Sequence, residues 1–305
     1  MAQRTSTSTL KEQMIKAARA AGGGSRTRAK REEAAARFHD WLRANNQQQR
    51  KIEDVAKVGL VSAWIASIES ADRNKQNLMS LLRGMFRAAG FEKFADAGKN
   101  RLLTNKALGI SGASRDGTHR PPTASEWQSV SERLQAPQYA REATLFELAR
   151  TLGLRVEEAV QSVRSLKDWL RQLERGSPVR ALHGTKGGKA RDIFVPHLLR
   201  PAALAAVRNA LALTRQHPEG YLVDKPDLKS ALTRAQTVAD AVGLVGEISP
   251  HSLRCDFAWK LADQLRAEGY DKASVLAQVS MSLGHGDGRG RYCAQVYLRG
   301  YRWDD

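Results

Sequence analysis

Four segments of the 305-residue chain carry side chains suited to work on an anion. Gly153-Leu154-Arg155-Val156-Glu157-Glu158 follows a helical run. A glycine turn holds Lys186 and Lys189 between two short extended runs, 179–182 and 192–196. Pro250-His251-Ser252-Leu253-Arg254-Cys255-Asp256-Phe257-Ala258 opens another helical run, and Leu283-Gly284-His285 precedes a glycine-rich loop and Gln295-Val296-Tyr297. A guanidinium presents forked N–H donors that match paired oxygens, so Arg155 and Arg254 are candidates to hold one oxyanion. His251 stands three residues before Arg254, a spacing that puts both on one face of a helix. His183, His197, His251 and His285 fit no metal-ligand spacing, so neither a metal nor a cofactor is expected.

In this order, the segments resemble the tyrosine recombinases, the phage-integrase family. The matching pieces are a GLR..E box at Arg155 and Glu158, a strand–turn–strand lysine, an H-x-x-R...FA box, an LGH box and a terminal tyrosine, spread over most of residues 124–305. The resemblance implies a site-specific recombinase or integrase that cleaves and rejoins DNA through a 3′-phosphotyrosyl link. Arg155, His251, Arg254 and His285 would then surround a phosphate whose transition state gains negative charge. Lys186, which opens the Lys-Gly-x-Lys turn, would protonate the leaving 5′-oxygen, with Lys189 as the alternative. Glu158 would hold Arg155 or the backbone. In the family the tyrosine follows the LGH histidine at a distance between the seven residues that separate Tyr292 from His285 and the twelve that separate Tyr297. A lengthened loop at 286–291 makes Tyr297 the expected nucleophile and Tyr292 the alternative. A tyrosyl phosphodiester keeps the bond energy, so rejoining needs no ATP.

The elements that must position these groups are helical. Leu78, Leu81, Leu82, Met85, Phe86 and Ala89 form one apolar stripe, with Gly90 as its stop. Residues 58–68 and 33–42 read as partner helices. Helical periods return after 124, interrupted by the hairpin around Lys186. The expected fold is therefore mainly α: a helical core-binding domain, then a mostly α catalytic domain with a small antiparallel hairpin. Residues 1–31 read as a flexible basic arm around Gly22-Gly23-Gly24. Residues 32–118 read as the helical DNA-binding domain with its linker, which starts near 95, and 119–305 as the catalytic domain.

Charge supports a nucleic-acid partner. Lys+Arg 49 against Asp+Glu 32 gives +17, a surplus that attracts polyanions. Cys255 and Cys293 are too few for a disulfide framework. The apolar stretch 58–68 is about half of the roughly 20 residues a membrane span needs. Together with the resemblance, these features imply double-stranded DNA carrying a specific site, a DNA-assembled homotetramer, an accessory directionality factor, no membrane, and a bacterial, cytoplasmic, nucleoid-associated setting. Two rival readings are a type IB topoisomerase-like relaxing enzyme and a non-catalytic DNA-binding or architectural protein. Arg155→Ala separates enzyme from binder: an enzyme keeps DNA affinity and loses cleavage by about 10²–10³-fold, whereas a binder loses one phosphate contact and nothing else. Paired binding and strand-cleavage assays read the difference.

Overall fold

A computed structural model describes residues 9–47, 49–112, 117–217 and 220–303. The chain divides into two compact units, Met1–Ser114 and Arg115–Asp305.

The first unit is helical: α1 (Leu10–Ala20), α2 (Ser25–Ala44), α3 (Ile52–Val55), α4 (Val58–Ser67), α5 (Asp72–Ala88) and α6 (Glu92–Ala95). The expected basic arm is not what forms over 9–31. Thr9 and Glu12 make a reciprocal capping box that starts α1. Leu10, Met14, Ala17 and Ala18 then bury one face of α1, which packs against α2 and α5. Arg31, read as part of the arm, is buried and donates to the carbonyls of Ala18 and Gly22, which satisfies the end of α1. Residues 1–8 lie outside the described residues. The linker expected from 95 also begins later, because Ala95, Leu103 and Ile110 are buried in this unit's core. At the centre of that core, the ring of Phe38 lies 5.2 Å from that of Trp64 and 6.5 Å from that of Phe86.

The second unit runs α7 (Ala124–Leu134), α8 (Ala140–Thr151), α9 (Val156–Val160), α10 (Leu166–Glu174), β1 (Val179–Ala181), β2 (Arg191–Ile193), α11 (Arg200–Leu213), α12 (Leu228–Val242), α13 (Leu253–Ala267), α14 (Lys272–Ser282) and α15 (Gly290–Val296). α8 buries Leu145, Phe146, Leu148 and Ala149 and packs on α9, α11 and α13. β1 and β2 pair antiparallel with Val179 opposite Ile193 and Ala181 opposite Arg191. The second strand therefore starts one residue earlier and ends sooner than 192–196, because Arg191 takes an inward position of the ladder. The indole N–H of Trp169 on α10 donates to Arg180 O at 2.8 Å and fixes the hairpin's stem.

Between α8 and α9 the chain turns through Gly153 at φ +59°, where a Cβ would lie 2.6 Å from the Phe257 ring on α13. Only glycine combines that backbone with that approach. Gly153→Ala is expected to lower the stability of the chain by about 1–3 kcal/mol, read as a fall in the denaturant midpoint at unchanged slope.

Candidate active site

Arg155 caps α9 at its N-terminus. Its backbone N–H donates to Glu158 Oε2 at 2.7 Å and its guanidinium to Glu158 Oε1 at 2.8 Å. The Glu158 carboxylate is 1% exposed, yet it is crowded with cations. Arg191, on β2, donates to both of its oxygens, and Arg254 stands 3.7 Å away. Burial works to raise the pKa of Glu158, but the Arg191 bonds and the charges of Arg191, Arg254 and Arg155 outweigh it and hold the carboxyl below its ordinary value. Three backbone carbonyls complete the cage. Arg254 donates to Gly153 O and Leu283 O, Arg155 reaches Leu283 O, and Arg191 donates to Ser282 O at 2.8 Å and Gly153 O at 3.3 Å. The two chain turns that follow α8 and α14 are thus tied to the same arginines.

Arg254 is fully buried, and its Nε has no partner among the described residues. The Tyr297 ring lies over this guanidinium, 5.4 Å from its central carbon. Tyr297 sits at the C-terminal cap of α15 and is 2% exposed. Its hydroxyl is 3.0 Å from His285 Nε2, and the His251 ring is 5.4 Å from its own. His251 does not lie on α13 itself; it sits in the 3-10 turn Pro250–Ser252 that leads into that helix. Spacing and turn together still bring His251 and Arg254 against one tyrosine.

The two histidines are poor bases here. Burial, then the charge of Arg254, with smaller contributions from Arg155 and neighbouring histidines, pulls both His251 and His285 down to about 3. At neutral pH they are uncharged imidazoles, able to donate one hydrogen bond and accept another.

The other tyrosines are placed differently. Tyr292 lies on α15 with its ring 4.9 Å from His285, and it is 39% exposed. Burial and the neighbouring Tyr297 raise its pKa. The hydroxyl of Tyr301 donates to Asp263 at 2.7 Å, and burial plus that bond push it up to about 12. Both cysteines are free and buried, and burial raises each thiol, that of Cys255 to about 12.

Lys186 and Lys189 are not brought into the cluster. Both are exposed on the turn between β1 and β2 and make no hydrogen bond or ion pair among the described residues. Conversely, two residues of the site escape a motif reading. Arg191 falls just outside the extended run 192–196, and only the structure shows that it shares the inward face with Ile193. His119 gave no signal inside a stretch rich in glycine and proline, yet its ring lies 5.3 Å from that of His251 and its Nδ1 is 3.2 Å from Ser249 Oγ. That segment is held by the Gly117 N–H, which donates to Gln295 O on α15 at 2.9 Å. Among the described residues no three His, Cys, Asp or Glu side chains gather as a metal site, and no helix is long and apolar enough to cross a membrane.

Comparison with known proteins agrees with this geometry. The family model "Phage integrase, N-terminal" matches residues 7–95, and the model "Integrase" matches residues 109–260. The chain belongs to the phage-integrase family, the tyrosine-type site-specific recombinases. The integrase match ends before His285 and the three tyrosines, so their grouping rests on the structure. No curated protein matches. Among solved structures, the fold is shared with a lambda integrase tetramer bound to a Holliday junction, at a TM-score of 0.58 and 16% identity over 99% of this chain and 81% of that one. It is shared equally with a XerH site-specific recombinase bound to difH in a pre-cleavage complex, at a TM-score of 0.56 and 16% identity over 95% of each chain.

Neutral histidines give a pH signature. The unfolded chain protonates both near pH 6.5 while the folded chain does not until about 3, so stability is lost as pH falls from about 6.5. The melting temperature should drop steadily between pH 7 and 5, and the double variant His251→Gln, His285→Gln should flatten that slope. An unchanged slope would contradict the buried, neutral assignment.

Proposed function

We propose that this chain cleaves and rejoins double-stranded DNA with Tyr297 as nucleophile, and that recombination proceeds in a tetramer assembled on two duplexes. The observation that carries the reading is the convergence of His285, His251 and the fully buried Arg254 on one hydroxyphenyl ring. The Tyr297 oxygen attacks phosphorus, the P–O5′ bond breaks, and a 3′-phosphotyrosyl link forms. The phenol's proton is released to solvent water as the bond forms, while His285 Nε2, too weak a base to keep it, orients the hydroxyl through its hydrogen bond. The leaving O5′ takes a proton from Lys186, with Lys189 as the alternative. Attack by a second strand's 5′-hydroxyl reverses these steps and exchanges partners.

Electrostatics favour the transition state over the ground state. Three guanidiniums against the one Glu158 carboxylate leave two positive charges, with the histidines neutral. A phosphodiester carries one negative charge and its pentacoordinate transition state two, so the surplus matches the latter. The unpartnered Arg254 Nε supplies a donor without giving up any existing bond.

With Arg254 at 0% and Tyr297 at 2% exposure, a phosphate reaches them only when the seven-residue α15 shifts. The loop 284–290 that precedes α15 contains the glycines for such a movement. The two solved relatives described above are bound to DNA, one of them as a tetramer on a Holliday junction, and this supports the DNA partner and the assembly. We assign the first unit to DNA binding and the second to catalysis. The setting that fits is the bacterial nucleoid, and the substrate the attachment site of a mobile element.

The test is covalent capture. The chain is mixed with a randomised library of nicked duplexes and denatured, and the DNA-linked peptide is sequenced by mass spectrometry. The nucleotide is expected on Tyr297. Tyr297→Phe should abolish the adduct, and Tyr292→Phe should retain it. An adduct on Tyr292 would reassign the nucleophile, and DNA binding without any adduct would contradict strand cleavage.

A further inference from the structure

The exposed lysine turn raises a question the cage does not answer: what sets Lys186 and Lys189 over the phosphate. The turn has no contact of its own that would do so, since its tip makes no hydrogen bond or ion pair among the described residues beyond the local Gly188 N–H to Thr185 O and Thr185 Oγ1 to Leu182 O. Its two ends, however, converge on the Glu157–Glu158 stretch of α9. At the entry, Gly184 passes so close to α9 that a Cβ would lie 2.6 Å from Glu157 O and 2.9 Å from Glu158 Cα, with φ at +70°. At the exit, Arg191 buries its guanidinium on the Glu158 carboxylate and adds bonds to Gly153 O and Ser282 O.

We infer that Arg191 is a positioning residue, and that Arg191 and Gly184 together clamp the lysine turn onto Glu158, so that the carboxylate which aligns Arg155 and Arg254 also fixes the general acid. This rests on the strand-cleavage reading and adds to it the part that registers the acid against the phosphate. Glu158 accepts from Arg155 on one side and Arg191 on the other, and Arg155 keeps its own backbone and guanidinium bonds to the carboxylate when Arg191 is changed. A lysine ammonium at position 191 could not replace the fork: it has three donors on one atom, while the guanidinium reaches three separate groups at once.

The experiment uses the full chain and two nicked duplexes of the sequence enriched by covalent capture. One carries the natural phosphodiester; in the other the 5′-bridging oxygen is replaced by sulfur. In the second, Tyr297 attack breaks the P–S5′ bond and the sulfur departs with its electron pair as a thiolate. A thiol with a pKa of about 8.5 needs no proton to leave. A defect in the acid or its placement is therefore rescued by sulfur, whereas a defect in the hold of Arg155 or Arg254 on the phosphate, or in folding, slows both duplexes alike.

Arg191→Lys should cleave the natural duplex about 100-fold more slowly, at the low end of what a positioned acid contributes, and should recover most of that loss on the sulfur duplex. Gly184→Ala, which removes no ion-pairing side chain but forces the turn away from α9, should show the same rescue. Lys186→Ala and Lys189→Ala run beside them as references for a missing acid. Equal slowing on both duplexes, or wild-type rates on both, would overturn the inference. If the wild-type chain cleaves neither duplex, the strand-cleavage reading itself fails and this inference fails with it, whereas failure of the inference alone leaves wild-type cleavage intact.

Discussion

The second unit depends on one buried carboxylate. Arg155, Arg191 and Arg254 could not share so small a volume without an anion between them, because like charges taken out of water repel strongly and each costs several kcal/mol to desolvate. Glu158 is that anion, and its position on α9 is itself set by the turn at Gly153 and by the Arg155 backbone N–H. From it the rest follows. Gly153 O and Leu283 O become acceptors for Arg254, the turn after α14 is drawn toward the cage, and His285 is delivered next to Tyr297. A carboxylate that looks like a capping residue in sequence is the point through which five chain segments are held.

The same crowding decides how the histidines act. Next to buried guanidiniums an imidazolium is disfavoured, so His251 and His285 stay neutral and contribute hydrogen bonds instead of charge. The arginines supply the charge, and the cage holds more positive charge than one carboxylate can cancel. Such a surplus, buried and already organised, is worth most to a group that becomes more anionic as it reacts. Tyr297 lies over Arg254, so an aromatic ring covers the one fully buried guanidinium of the three.

Much of this was legible in the residues. The boxes at Arg155, His251–Arg254 and His285 gave the cage's outer members, and the stripe from Leu78 to Phe86 gave the helix that α1 and α2 pack against. Three features were not legible, each for a physical reason. The basic N-terminal run disguised α1 and the first turns of α2, because Arg31 directs its charge to backbone carbonyls inside the core, not to solvent. Arg191 looked like one more cation after a lysine turn, because a strand of three residues offers too little alternation to reveal an inward face. His119 lies in sequence far from everything it touches, and only the bond between Gly117 and α15 brings it to His251. The spacing from His285 to the tyrosines left two candidates, and the structure surrounds them differently: the Tyr297 hydroxyl meets His285 and its ring lies over Arg254, while Tyr292 is partly exposed.

In the proposed reaction one phosphorus centre is held by Arg155 and Arg254 while Tyr297 attacks it. The most direct measurement is a structure of the chain with a cut duplex and orthovanadate, whose five-coordinate vanadium mimics the reacting phosphorus. Vanadium is expected to be bonded to Tyr297 Oη and to the DNA 3′-oxygen, its equatorial oxygens within hydrogen-bond reach of both arginines. Vanadium bonded to Tyr292, or centred away from Arg254, would contradict it.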